Sequence, residues 1–303
     1  MASLIRHAMG IPSHMAAFAE TSLLHALGMQ PRFPPLFVVG APRCGTTLPY
    51  LYLVDRFGFA YFPNHARRYP AIPVAAAWMA RRGNQRRKFG LESQYGAVDG
   101  RLAPSDGWDV FHRWFPRYGM EPVRRAQLGE LRRIVGAYER MWGKPFISKN
   151  NHNSIRIAEL DKAFPDAFFI HVTRDVVDAS LSLLEARKRH GVPLGDWWSC
   201  PAPQYMDRRF ASEIEQVVHT IVGIRQYVRE QFGLLDKHRW IEVAYEDFCM
   251  APGELAGWVE SHYPECTPND GLPGYGPVLG ARSHSGRSSP DLVAAINAVL
   301  DEL

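Results

Sequence analysis

The stretch Leu36-Phe37-Val38-Val39-Gly40-Ala41-Pro42-Arg43-Cys44-Gly45-Thr46-Thr47 constrains the fold more than any other part of the chain. Four consecutive apolar residues read as a strand buried on both faces, the kind found in parallel sheets covered by helices. The loop that follows is bounded by glycines at GxxxxG spacing, and Thr46 to Phe57 carries Leu48, Leu51, Tyr52 and Val54 at helical spacing. Strand, glycine-bounded loop and helix in that order aim backbone N–H groups and the positive end of a helix dipole at one point, where an anion is favoured. Arg43 adds a full charge there, and the hydroxyls of Thr46 and Thr47 can donate to the same oxygens. The plainer alternative is a strand-to-helix turn that is glycine-bounded by coincidence.

The rest of the chain alternates strand and helix patterns. Pro31, Pro34 and Pro35 close off an N-terminal arm, residues 1–33, whose Thr21–Leu27 stretch reads as a short helix ending at Gly28. The arm is expected to pack on the body or on a partner, which makes it a candidate for oligomer contacts. Strands are expected at 145–148, 167–172 and 240–243. Helices are expected over 121–142, 154–164, 177–189, 211–232 and 253–262, with a last one from Ser289. This order favours one α/β domain over 34–303, a parallel β-sheet flanked by helices of the P-loop nucleotide-binding type. An insertion at about 61–142, rich in Arg, Pro and aromatics such as Trp78, Tyr95, Trp108, Trp114 and Tyr118, interrupts it.

Composition narrows the function classes. The 303 residues carry 35 Lys and Arg against 31 Asp and Glu, a net charge of +4 that is too mild to mark a nucleic-acid binder. Cys44, Cys200, Cys249 and Cys266 are scattered without CxxC or Cys/His spacing, so neither a zinc site nor a disulfide framework is indicated and a reducing, cytoplasmic setting is expected. No apolar run approaches the roughly 20 residues of a membrane span.

The loop lacks the lysine of a nucleoside triphosphatase, because Gly45-Thr46-Thr47 stands where Gly-Lys-Ser/Thr would. Ile147-Ser148-Lys149 and His171-Val172-Thr173-Arg174 end in cations rather than in an acid that would hold Mg²⁺. A nucleotide whose transferred group carries less charge than a phosphoryl group needs no metal clamp, and none is expected here.

At these residues the chain resembles the bacterial-type sulfotransferases that use 3'-phosphoadenosine 5'-phosphosulfate (PAPS). Pro42-Arg43-Cys44-Gly45-Thr46-Thr47 is similar to the family's Pro-Lys/Arg-Ser-Gly-Thr-Thr loop, which grips the 5'-phosphosulfate, with Cys for Ser. Arg174-Asp175-Val176-Val177-Asp178-Ala179-Ser180-Leu181-Ser182 resembles its Arg-Asp-Pro-Arg-Asp-Val-x-x-Ser, and Arg174 and Ser182 fall at the spacing of the pair that binds the 3'-phosphate; Ser180 is a nearby substitute. Tyr245-Glu246-Asp247-Phe248 is similar to the Tyr-Glu-Asp-Leu whose Tyr lies near the adenine. The basic segment 280–287 is a looser counterpart of the loop that closes over the 3'-phosphate, with Arg282 and Arg287 as alternatives. The resemblance thus implies PAPS as sulfuryl donor and a hydroxylated acceptor, small molecule or glycan, while the aromatic residues at 95–118 read separately as a partly apolar pocket for an aromatic or glycosidic acceptor.

It also implies a catalytic set. Arg43 meets charge on the leaving oxygen, and a base takes the acceptor proton. The family's Lys-Thr-His stretch corresponds to Lys149-Asn150-Asn151-His152, which carries Lys149 into the set and leaves His152 displaced by one residue, with Asn151 at the aligned place. His152 is the first choice for the base, since histidine titrates near neutrality. Pro104-Ser105-Asp106-Gly107-Trp108 resembles a Pro-Ser-Glu-Gly-Trp stretch, so Asp106 is the second choice, its alternative being a helix N-cap. His65 and Glu92 are weaker candidates. Arg81, Arg82, Arg86, Arg87, Lys88, Arg124, Arg125, Arg132 and Arg133 read either as anion contacts or as solvated faces. A reactive thiolate at Cys44, a P-loop kinase or hydrolase with an altered lysine, and a nucleotide-binding module without catalysis are the competing readings.

Overall fold

The computed structural model describes residues 13–82, 98–116, 120–268 and 283–303. Its arm contains α1 (Ser13–Ala26), followed by β1 (Leu36–Val39) and α2 (Thr47–Phe57). Next come α3 (Asn64–Arg68), α4 (Pro73–Arg82), α5 (Trp108–Phe111) and α6 (Arg125–Trp142), all within the segment 61–142. Then come β2 (Ile147–Lys149), α7 (Ile157–Ala163), β3 (Phe168–Thr173), α8 (Val176–His190), α9 (Glu213–Phe232) and β4 (Trp240–Ala244). The chain finishes with α10 (Tyr245–Met250), α11 (Pro252–His262) and α12 (Pro290–Asp301).

The strands form one parallel sheet in the order β2-β1-β3-β4. Side chains alternate across β1, so Phe37 and Val39 join one buried cluster with residues of α6, α7 and α9, while Leu36 and Val38 join another with α2 and α11. All four are sealed from solvent, and burial of each such side chain contributes on the order of 2 kcal/mol. Within α9, Val217, Ile221, Ile224 and Val228 repeat at helical spacing and are buried, which is what draws that helix onto the sheet.

This order has one functional consequence. The chain leaves β1 to pair β2 on one side, then crosses back to add β3 on the other, so its direction reverses between β1 and β3. In open α/β sheets, the carboxyl ends of the strands at that reversal form the crevice where ligands bind. Gly40 and Arg174 each follow one of these two strands.

The arm is fixed to the body by polar contacts. Glu20 accepts backbone N–H groups of Val74 at 3.3 Å and Ala75 at 2.8 Å in the first turn of α4, and Thr21 donates to Glu130 at 2.9 Å. Further along, Glu139 of α6 accepts the N–H of Arg32 at 2.6 Å.

The arm helix begins at Ser13, eight residues before the stretch expected to form it. After β2, the helix expected over 154–164 is present as α7 but starts three residues later, behind a 3₁₀ turn, Asn151–Ile155. The Asn150 side chain accepts the N–H of His152 at 2.9 Å and turns the chain before an α-helix can start. Tyr245, two residues beyond the strand expected at 240–243, is the first residue of α10.

Candidate functional site

The loop between β1 and α2 is braced at its first residue. Ser154 Oγ accepts the N–H of Gly40 at 2.8 Å and donates to the Gly40 carbonyl at 3.0 Å. A Cβ at position 40 would stand 2.5 Å from the Val172 carbonyl oxygen, so only glycine passes between β1 and β3 here. At the far end, Thr46 Oγ1 donates to Asn151 Oδ1 at 3.2 Å. One turn therefore holds both ends of the loop. Between them, Arg43 has a φ of +67° and Gly45 one of +82°, the conformations that curl successive N–H groups toward a common point.

Arg174 lies at this loop. Its Nη1 donates to the carbonyl of Arg43 at 3.2 Å, its Nη2 faces Asp178 at 3.5 Å, and its guanidinium carbon stands 5.0 Å from the centre of the Tyr245 ring. Tyr245 in turn packs on Gly45. The side chain of Arg43 crosses to α8, where Nε donates to Ser182 Oγ at 3.0 Å. Thus Arg43, Gly45, Arg174, Ser182 and Tyr245 meet in one place, and Arg43 is in contact with the serine that sequence reasoning assigned to the other end of the ligand. Thr47 begins α2, and Thr46 precedes it as N-cap with its side chain turned to Asn151. Ser180, the alternative to Ser182, is fully buried.

The Cys44 thiol is buried and pushed up to about 12 by that burial, so it is protonated at neutral pH. The Cys44 backbone N–H donates to the Ala41 carbonyl at 3.2 Å and closes a turn inside the loop.

Lys149 ends β2 beside Val38 and is 7% exposed. Burial lowers its pKa, the charges of Arg43 and Arg67 lower it further, and Asp106 opposes them. Arg67 is itself paired with Asp109 at 2.8 Å. His152 is buried just beyond, its ring centre 3.7 Å from that of Trp108, and Trp108 also meets His112 at 4.0 Å. Asp106 accepts the N–H of Trp108 at 3.2 Å, while the N-cap of α5 is Gly107, one residue later than the sequence suggested. His65 contacts Arg101 at 3.2 Å on the outer side of α3. Glu92, Arg86, Arg87, Lys88, Tyr95, Tyr118 and Arg282 lie outside the described residues, as does the side chain of Arg287.

Sequence reasoning overlooked Asn151 and Ser154 as loop braces, and Asp178, which receives the C-terminal segment. The run Asn150-Asn151-His152-Asn153-Ser154 held the signal: so many short polar side chains after a strand mark backbone-capping turns. Among the described residues no group of three or more His, Cys, Asp or Glu could hold a metal ion, and no helix is long and apolar enough to cross a membrane.

Residues 34–258 match the model of the Sulfotransferase family. Among solved structures, the fold is similar to sulfotransferase STF9 from Mycobacterium avium, with a TM-score of 0.57 at 15% identity over 96% of this chain and 74% of that one. It is also similar to sulfotransferase STF1 from Mycobacterium tuberculosis H37Rv, with a TM-score of 0.52 at 13% identity over 84% of this chain and 73% of that one. Likeness at such identities speaks to the fold. No curated protein matches the sequence.

Proposed function

The chain belongs to the sulfotransferase family, and from that premise we propose that it transfers a sulfuryl group from PAPS to a hydroxyl of an aromatic or glycosidic acceptor, releasing adenosine 3',5'-bisphosphate. The observation that carries this reading is the hydrogen bond from Arg174 to the carbonyl of Arg43. It joins two cationic elements, far apart in sequence, at the switch point of the sheet, as a nucleotide with an anionic group at each end requires.

The residues present suit such a donor. The backbone N–H groups of Gly45, Thr46 and Thr47, with Arg43, hold the 5' end; Arg174 and Ser182 hold the 3' end; Tyr245 flanks the adenosine, while the Cys44 N–H closes a turn on the Ala41 carbonyl. Bound there, the donor supplies an activated sulfuryl group: the acceptor oxygen forms a bond to sulfur as the bond from sulfur to the phosphate oxygen breaks. His152 takes the acceptor proton. Arg43 and Lys149 meet the charge left on the phosphate oxygen, where fixed cations in a dry site act strongly. For Arg43 to do so it exchanges Ser182 for the ligand, a swing of one side chain. Trp108, against His152, supplies an apolar wall for the acceptor.

A thermal-shift comparison tests the donor. Adenosine 3',5'-bisphosphate should raise the melting temperature, because a ligand that binds only the folded state stabilises it by mass action. Stabilisation by ATP with Mg²⁺ and none by the bisphosphate would overturn the proposal in favour of a kinase or hydrolase.

A further inference from the structure

Asp178 lies in the first turn of α8, where a carboxylate ordinarily serves the helix dipole or the cap. Here the cap is Asp175, whose carboxylate accepts the N–H of Asp178 at 2.8 Å and so fixes its backbone. The Asp178 side chain is turned to a segment more than one hundred residues away. Its Oδ1 accepts the N–H of Ser285 at 2.8 Å and of His284 at 3.1 Å, with Ser283 Oγ at 3.5 Å. Its Oδ2 is the atom facing Arg174. Burial raises the carboxyl's pKa, but the hydrogen bonds from Ser285 and His284 and the charge of Arg174 outweigh it and hold the group below its ordinary value. Two backbone donors on one carboxylate oxygen make a charge-assisted clasp.

The same segment also passes close to the middle of α8. The ring of His284 stands 3.8 Å from Glu185, two turns further along α8. His284 is thereby brought close enough for the charges of Arg174 and Arg43 to act on it, after burial, in lowering its pKa. The segment Ser283–Ser285 lies along α8 with its start at the anion site.

Resting on the donor reading above, we propose that Asp178 is a positioning residue that fastens the C-terminal segment Ser283–Ser285 beside Arg174, so that capture of the donor's 3'-phosphate depends on this clasp. Asp178 does not touch the nucleotide. It sets where the segment sits, and the segment closes the 3' side of the site.

Two substitutions approach the clasp from opposite sides. Asp178→Ala removes the acceptor. Ser285→Pro removes one donor at the first residue of a 3₁₀ turn, and since His284 before it adopts φ −100°, ψ −30°, a helical conformation that a following proline disfavours, the melting temperature of this variant is measured alongside. Amide exchange without nucleotide should show His284 and Ser285 exchanging faster in Asp178→Ala. Each single variant should bind adenosine 3',5'-bisphosphate about tenfold more weakly and adenosine 5'-monophosphate within about twofold, the scale of one hydrogen bond to a charged group. The double variant should lose little more than either alone. Asp178→Asn keeps a neutral oxygen for the two amides and should recover most of the loss at unchanged melting temperature. Unchanged exchange, equal losses for both nucleotides, additive losses, or an Asn variant as weak as the Ala variant would overturn the clasp. A wild-type protein that binds the two nucleotides equally would instead overturn the donor reading, while the exchange result still decides whether Asp178 holds the segment.

Discussion

The ring of Tyr245 fills the space that a side chain at Gly45 would need: a Cβ there would stand 2.3 Å from Tyr245 Cδ2. Position 45 also has a φ of +82°, which a side chain tolerates poorly. Gly45→Ala should therefore cost about 2–4 kcal/mol, from overlap and backbone strain together. Truncating the ring relieves the overlap and leaves the strain, so Gly45→Ala with Tyr245→Ala should be less destabilised than the sum of the two single variants. Urea denaturation of the four proteins measures this, and strict additivity would refute the contact.

Arg174→Ala should weaken adenosine 3',5'-bisphosphate by about tenfold or more while leaving adenosine 5'-monophosphate nearly unaffected, because only the former carries the group that the guanidinium meets. Titration calorimetry with both nucleotides decides the matter. Equal losses would mean that Arg174 serves the loop, through the Arg43 carbonyl, rather than the ligand.

His152→Ala should lower turnover by about 10²-fold or more, the range for a positioned acid or base, at unchanged nucleotide affinity. Full turnover in this variant would transfer the base role to Asp106, to be checked with Asp106→Asn.

Lys149 presents a trade between stability and activity. Its ammonium is buried, and its pKa is lowered by that burial first, with Asp106 opposing the shift and Arg43 and Arg67 adding to it. A charged group held this way costs folding free energy below its unfolded pKa. Lys149→Met should thus melt no lower than wild type at pH 7, while turnover falls about a hundredfold through loss of a cation at the leaving oxygen. A clearly lower melting temperature would show that the ammonium contributes favourable contacts in the unliganded fold.

Glu139 should make stability depend on pH near neutrality. Burial raises its pKa from 4.5 to about 7, against backbone hydrogen bonds from Arg32 and Phe33 that lower it. The folded protein therefore binds this proton more tightly than the unfolded chain does. That contribution is present in full below about pH 4.5 and is lost as pH rises through 7. Glu139→Gln keeps an oxygen for the two amides without the charge, so its stability relative to wild type should grow by about 3 kcal/mol between pH 4.5 and 8. A pH-independent difference in chemical denaturation would contradict this.

Local order was legible in the sequence where a single physical signal dominated. Leu36–Val39 is a continuous apolar run, and nothing but a buried strand suits it beside a glycine-bounded loop. The long α9 was legible from its buried stripe. The strand order was not, since parallel strands with helical crossovers leave no trace of which neighbour they pair. Nor could spacing reveal that Arg43 reaches Ser182, because that contact depends on how far α8 lies from the loop once the sheet has formed. Asn151 illustrates the same limit: its place after β2 was visible, whereas its bond to Thr46 requires β1 and β2 to be adjacent.

Ser154 both gives and takes a hydrogen bond with Gly40, and it shares one short turn with Asn151 and His152. The glycine loop and the residue proposed above as proton acceptor are consequently carried on a single short turn. On that proposal, a displacement of either carries its counterpart along, so the separation between nucleophile and leaving group is set by the backbone.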